Sequence, residues 1–209
     1  YADGGLMLTQ EDPSKRKEII SIFKDLIDLA ENFGRQINIG RVRGKVENRR
    51  LEAVEDLFVE VTRELCAYAQ PKNVTLLIEP VNRYETDFIN TVAEGKALVE
   101  KVGMKNLMIM ADVFHMNIED KTIGHELVRN IRFINYIHLA DSNRLAPGQG
   151  HLDFQDIFNK LLETGYDGWV SAEILPKPSP DIAAKQTAVF LLPYIKNYNK
   201  NLAGLSKSM

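Results

Sequence analysis

The sequence predicts an α/β fold built on a parallel sheet, and three observations carry that prediction. Five short apolar runs alternate with longer segments of helical period. Glycine, proline and aspartate punctuate the junctions as helix starts and exits require. Four of the five runs carry a carboxylate or an imidazole at or near their C-terminal end.

The runs are QINIGRV (36–42), VTLLIEP (74–80), NLMIMAD (106–112), FINYIHL (133–139) and GWVSAEI (168–174). Each is too short for a helix and nearly continuously apolar, as strands buried on both faces are. Between them, Ile19, Ile20, Phe23, Leu26, Ile27 and Ala30 recur at spacings of three and four. Leu51, Val54, Leu57, Phe58, Val61 and Leu65 do the same, so both segments predict amphipathic helices. Further helices are predicted near 91–102, 119–130, 154–164 and 180–195. Pro13-Ser14 suits a helix start, Gly34, Gly103 and Gly165 suit helix exits, and Asp153 suits an N-cap.

Strand–helix–strand repetition requires parallel pairing with helices outside the sheet. A doubly wound sheet and a (β/α)₈ barrel both satisfy it. No glycine-rich turn follows the first strand, so dinucleotide binding has no support. The 209 residues suit one domain, residues 1–209, with a polar tail expected to fray from Asn197 to Met209.

Composition narrows the function classes. A hydrophobic fraction of 44% and a charged fraction of 26% are ordinary for a globular protein. A net charge of -3 provides no field for a nucleic-acid backbone or for anionic lipid. No apolar run approaches the roughly 18 residues that span a bilayer. Cys66, alone, has no internal disulfide partner and reads as helix packing. No signal peptide opens the sequence, so a cytoplasmic location is expected. The first residue is Tyr1 rather than methionine, and a natural start is expected upstream.

The chemistry sits at the strand ends. Glu79, Asp112, His138 and Glu173 close or nearly close four strands. In parallel α/β folds these ends share one face, where ligands bind. Singly, a strand-end acid reads as a helix N-cap or a salt-bridge partner. Four in register read as a hard, mostly oxygen metal site, suited to Mn²⁺ or Mg²⁺, with Co²⁺ and Zn²⁺ as alternatives. Arg83, Glu85, His115, Asp141 and Arg144 lie on the loops that follow. His151 reads as part of a turn, and His125 lies within a helix.

The segments IEPVNRYETDFINT, ADVFHMNIE, IHLADSNRLAPGQGHLDF and WVSAEI resemble the xylose-isomerase-like TIM-barrel superfamily, and within it the ketose 3-epimerases. The spacings of 33, 26 and 35 between positions 79, 112, 138 and 173 are similar to that group's. The resemblance runs from Gly34 to about residue 196. It implies a (β/α)₈ barrel and a divalent metal, usually Mn²⁺, held by Glu79, Asp112, His138 and Glu173. It implies that Glu79 and Glu173 are the acid–base pair, that His115 and Arg144 contact substrate oxygens, and that Glu85 orients the substrate or Glu79.

Set against that family, the sequence is expected to lack the first three βα units, which leaves a partial barrel. Its open edges would expose apolar surface, so homo-oligomerisation is expected. The expected activity is inversion of C3 of a free ketose through an enediolate. The alternatives are another isomerase or dehydratase of the superfamily, such as a hydroxypyruvate isomerase or inosose dehydratase, or a binding remnant without turnover.

Overall fold

A computed structural model describes residues 5–205. It divides into two compact units, residues 1–110 and 111–209, each considered on its own.

The first unit begins with α1 (Pro13–Ala30). Asp12 caps it by accepting from the Ser14 amide at 2.8 Å, and Pro13, which needs no donor there, is its first residue. Ile19, Phe23, Ile27 and Ala30 form its buried stripe. Strand β1 (Gln36–Ile39) is followed by a 3-10 turn, Arg41–Arg43. Helix α2 (Leu51–Ala69) buries Val54, Phe58, Val61 and Leu65 of the stripe its periodicity predicts, while Leu57 is half-buried and Leu51, at the first turn, is exposed. Strand β2 (Thr75–Ile78) leads through a long loop to α3 (Val92–Val102). There Thr91 and Glu94 form a reciprocal capping box. Strand β3 (Leu107–Asp112) then crosses the boundary between units. β1 pairs parallel with β2, aligning Ile39 with Ile78. β2 pairs parallel with β3, aligning Ile78 with Ile109.

In the second unit α4 (Val113–Glu119) starts directly after Asp112, and α5 (Ile123–Asn130) follows. Strand β4 (Ile134–Leu139), α6 (Phe154–Thr164), β5 (Trp169–Ala172) and α7 (Pro180–Leu205) complete it. β4 and β5 are parallel, with Leu139 opposite Ala172. Asp153 caps α6 as expected, accepting from the Asp156 amide at 3.0 Å. Gly103 and Gly165 end α3 and α6 in the left-handed conformation that glycine adopts without steric cost.

Two expectations are corrected. The helix expected near 119–130 starts only at Ile123, as α5, and a short helix the sequence reading lacks, α4, precedes it, because the Asp112 side chain caps a helix at once by accepting from the Phe114 amide and the chain turns extended at Asp120. The tail expected to fray from Asn197 is helical through Leu205, while positions 206–209 lie outside the described residues. Its anchor is Tyr198, whose hydroxyl donates to the carbonyls of Leu161 and Tyr166. Tyr194, one turn earlier, stacks on Phe158 at 5.3 Å between ring centres. These contacts hold a segment whose composition reads as solvated.

Candidate metal centre

Within the second unit, the C-terminal strand ends bring four of the expected residues together. Asp112 is the last residue of β3 and is 1% exposed. Its Oδ1 caps α4, and its Oδ2 accepts from Arg144 Nη1 at 2.6 Å. His138, the fifth residue of β4, has its Nδ1 3.5 Å from Asp112 Oδ2 and 2.8 Å from Glu173 Oε2. Glu173 follows the last residue of β5, and its amide donates to the Leu139 carbonyl at 3.2 Å. Its Oε2 also accepts from Arg144 Nη2 at 2.6 Å. One guanidinium and one imidazole are thus shared by two carboxylates.

The electrostatics follow. Burial pushes the Asp112 carboxyl up, but His138, Arg144 and His115 together hold it below the ordinary range. The hydrogen bond from His138 holds the Glu173 carboxyl down against partial burial, with Arg144 adding to it. Both side chains are therefore carboxylates at neutral pH.

His115 is buried on α4, its ring 5.3 Å from that of Phe114. Phe114 also lies under the Arg144 guanidinium, 4.8 Å from ring centre to Cζ.

In the first unit, Glu79 follows β2 directly and is buried. Its Oε2 accepts from Asn38 Nδ2 at 2.6 Å. Its backbone carbonyl accepts from Arg43 Nη1 at 2.9 Å, and the same guanidinium donates to the carbonyls of Phe88 and Ile89, each at 2.7 Å. Arg43 is fully buried; burial pulls its pKa down to about 10, opposed by Glu79, Glu85 and Glu94. It remains a cation and ties both ends of the loop after β2 to the turn after β1. Glu85 sits on that loop, 3.8 Å from Arg41 Nε and accepting from Asn82 Nδ2 at 3.4 Å.

Asn38, Arg43 and Phe114 were not singled out from the sequence. Asn38 is a polar residue set between two isoleucines in QINI, which is a usable signal. Arg43 has none, being one of 26 Lys and Arg residues. His151 forms the expected turn, its Nδ1 2.9 Å from Ser142 Oγ. Cys66 is buried, and burial raises its thiol to about 12, as a packing residue requires.

The donor set suits a divalent cation. Asp112, His138 and Glu173 each offer one ligand atom, and these lie within 4.8 Å of one another. Neighbouring ligands of an octahedral Mg²⁺ stand about 3 Å apart, and His138 Nδ1 is 3.5 Å from Asp112 Oδ2 and 2.8 Å from Glu173 Oε2, so the spacing suits an ion. Two carboxylates and an imidazole are the hard and borderline donors that a divalent cation takes.

Parallel strands with ligand-type side chains at their carboxyl ends are the arrangement of metal-dependent α/β-barrel enzymes. The model of the xylose isomerase-like TIM barrel family matches residues 1–193, and the chain belongs to that family. Its relatives include the L-ribulose 3-epimerase of Mesorhizobium japonicum, 37% identical over 123 residues that cover 58% of this chain and 41% of that protein. They also include the 3-dehydro-D-guloside 4-epimerase of Escherichia coli K12, 32% identical over 125 residues, 60% of this chain and 48% of the relative. A solved L-ribulose 3-epimerase superposes with a TM-score of 0.82 over 96% of this chain and 75% of its own, at 23% identity, a likeness of fold. The chain spans about half the length of the curated relatives it matches. Among the described residues, no helix is long and apolar enough to cross a membrane.

Proposed function

We propose that this chain is a partial barrel of an isomerase, a metal-dependent sugar epimerase that inverts C3 of a free ketose through an enediolate. The observation that carries this is the convergence of Asp112, His138, Glu173 and Arg144 at the ends of β3, β4 and β5. The relatives named as ketose 3-epimerases support the reaction class.

Glu79, Asp112, His138 and Glu173 are the proposed ligands of one divalent ion. Mn²⁺ is the first candidate, with Mg²⁺, Co²⁺ and Zn²⁺ as alternatives. When bound, the ion supplies Lewis-acid polarisation of the ketose carbonyl. Glu79 and Glu173 form the acid–base pair. One takes the C3 proton on one face of the sugar, and the other delivers a proton to the opposite face, since a single base would restore the starting configuration. Glu173 is suited to this because its lowered pKa keeps it ionised at neutral pH. Arg144 and His115 donate to the sugar oxygen on which charge develops. Glu85 orients the substrate or Glu79. No cluster of Lys and Gly marks a phosphate site, which favours a free sugar. The proposed setting is cytoplasmic, without nucleic-acid or membrane partners.

We also propose that the chain self-associates. Trp169 and Val170 on β5 and Ile182, Val189 and Leu192 on α7 are exposed, more apolar surface than a monomer readily leaves in water. A light-scattering mass of 23.7 kDa, that of one chain, overturns this part.

The test of function is incubation with Mn²⁺ and a panel of free ketopentoses and ketohexoses in D₂O, followed by NMR at C3–H. Loss of that signal with growth of the C3 epimer supports the reading. No exchange by folded, metal-loaded protein refutes it.

A further inference from the structure

The loop that carries Arg144 is built around a buried carboxylate. Asp141 follows β4 by two residues and is 1% exposed. Its Oδ1 accepts from the amides of Ser142 at 2.8 Å and Leu152 at 3.1 Å. Its Oδ2 accepts from the Gly148 amide at 2.7 Å, and the Gly150 amide adds another bond. The backbone closes the turn as well: the Arg144 amide donates to the Asp141 carbonyl at 2.8 Å, and the Asp141 amide to the Leu145 carbonyl at 3.0 Å. Gly150 passes so close that a Cβ there would lie 2.2 Å from Asp141 Oδ1, which only glycine avoids. Burial pushes this carboxyl up, yet the amide donors outweigh it and hold it below the ordinary range.

The product of this cage is the posture of Arg144. Its φ is 62°, the left-handed region that non-glycine residues avoid. The surroundings must hold it there, and they do: the Leu175 amide donates to its carbonyl at 2.7 Å. The guanidinium then reaches Asp112 and Glu173, both at 2.6 Å, over the face of Phe114. The Asp141 carboxylate is engaged by the loop's own amides, so its influence passes through the backbone.

We propose that Asp141 is a positioning residue that presents Arg144 to the site, and so to the sugar, by caging the 141–152 loop. The proposal rests on the epimerase reading. An aspartate that merely supports the fold would lower stability without acting through Arg144; a positioning residue is coupled to it.

The test is a double-mutant cycle on the Mn²⁺-loaded full chain, with Asp141→Asn, Arg144→Met and the pair, read with L-ribulose and D-psicose. Asp141→Asn is expected to lower kcat/KM by about 10–100-fold, the usual effect of removing a group that orients a site residue, with KM raised. In the Arg144→Met background the same change should cost no more than about twofold. An equal loss in both backgrounds, or a loss below twofold in the first, overturns the proposal. A second readout needs no turnover: hydrogen exchange at Arg144 Nε–H, followed by NMR. It should be at least about tenfold faster in Asp141→Asn, because protection reports how often the local structure opens. An unchanged rate overturns the proposal. If the wild-type chain epimerises no ketose, the epimerase reading fails, and the exchange measurement still decides whether Asp141 positions Arg144. If Asp141→Asn does not fold, Gly150→Ala, which drives a methyl into the same carboxylate, is judged by the same criteria.

Discussion

Replacing Arg43 with methionine should destabilise the protein far more than a typical arginine substitution. The side chain is fully buried and donates three hydrogen bonds, to the carbonyls of Glu79, Phe88 and Ile89. Methionine matches the length of the stem and removes all three donors. A bond from a charged donor contributes about 1.5–3 kcal/mol, and a buried carbonyl left unpaired costs about 1–3 kcal/mol. Full additivity would give about 5–9 kcal/mol. The loop after β2 can relax and admit water, and the desolvation cost of the guanidinium is recovered, so the net is set nearer the 3–5 kcal/mol typical of breaking a buried charged network. At about 2–4 °C per kcal/mol for a chain of this size, Tm should fall by about 6–20 °C. Urea unfolding followed by circular dichroism measures it, with Arg43→Lys as the control that keeps the charge but loses the planar fork. That control should lie between the wild type and Arg43→Met. A loss below about 1 kcal/mol in Arg43→Met would refute the account of Arg43 as the tie between the two loops.

Other outcomes follow from the same geometry. Glu173→Gln keeps the shape of the side chain but removes its basicity, so C3 exchange in D₂O should fall by about 10²–10⁴-fold while the protein stays folded; retained exchange removes Glu173 from the acid–base pair. Cys66, its thiol raised to about 12 by burial, should resist a thiol-specific reagent at pH 8 in the folded chain and react on unfolding in urea; rapid labelling without denaturant contradicts its packing role. Asp87 accepts from the Val46 and Glu47 amides at 2.8 and 2.7 Å, bonds that outweigh burial and hold its carboxyl below the ordinary range. A depressed folded pKa adds stability above the ordinary aspartate value of about 3.9 that is lost as pH falls through the depressed one. The stability gap between wild type and Asp87→Asn should therefore narrow from pH 6 towards pH 2, and a constant gap in urea titrations refutes the assignment.

Much of this protein is local enough to be written in its sequence. Five apolar runs became five strands because a run of four to six β-branched and aliphatic residues has no polar face to offer a helix. Buried stripes at spacings of three and four became α1 and α2 for the complementary reason. Asp112, His138 and Glu173 were legible as partners because parallel pairing places every strand's C-terminus on one side, a consequence of topology that needs no coordinates. The residue pattern therefore determined the class of fold, the strand ends and the candidate ligands. Tertiary structure decided what depends on neighbours distant in the chain. A lysine or arginine reads as solvated until three carbonyls from another loop surround it, which is why Arg43 gave no signal. A polar tail reads as frayed until Tyr198 finds the carbonyls of Leu161 and Tyr166. Asp141 reads as one more polar loop residue until four amides of its own loop close on it. In each case the free energy comes from satisfying a buried polar group, and only folding determines which groups are buried together.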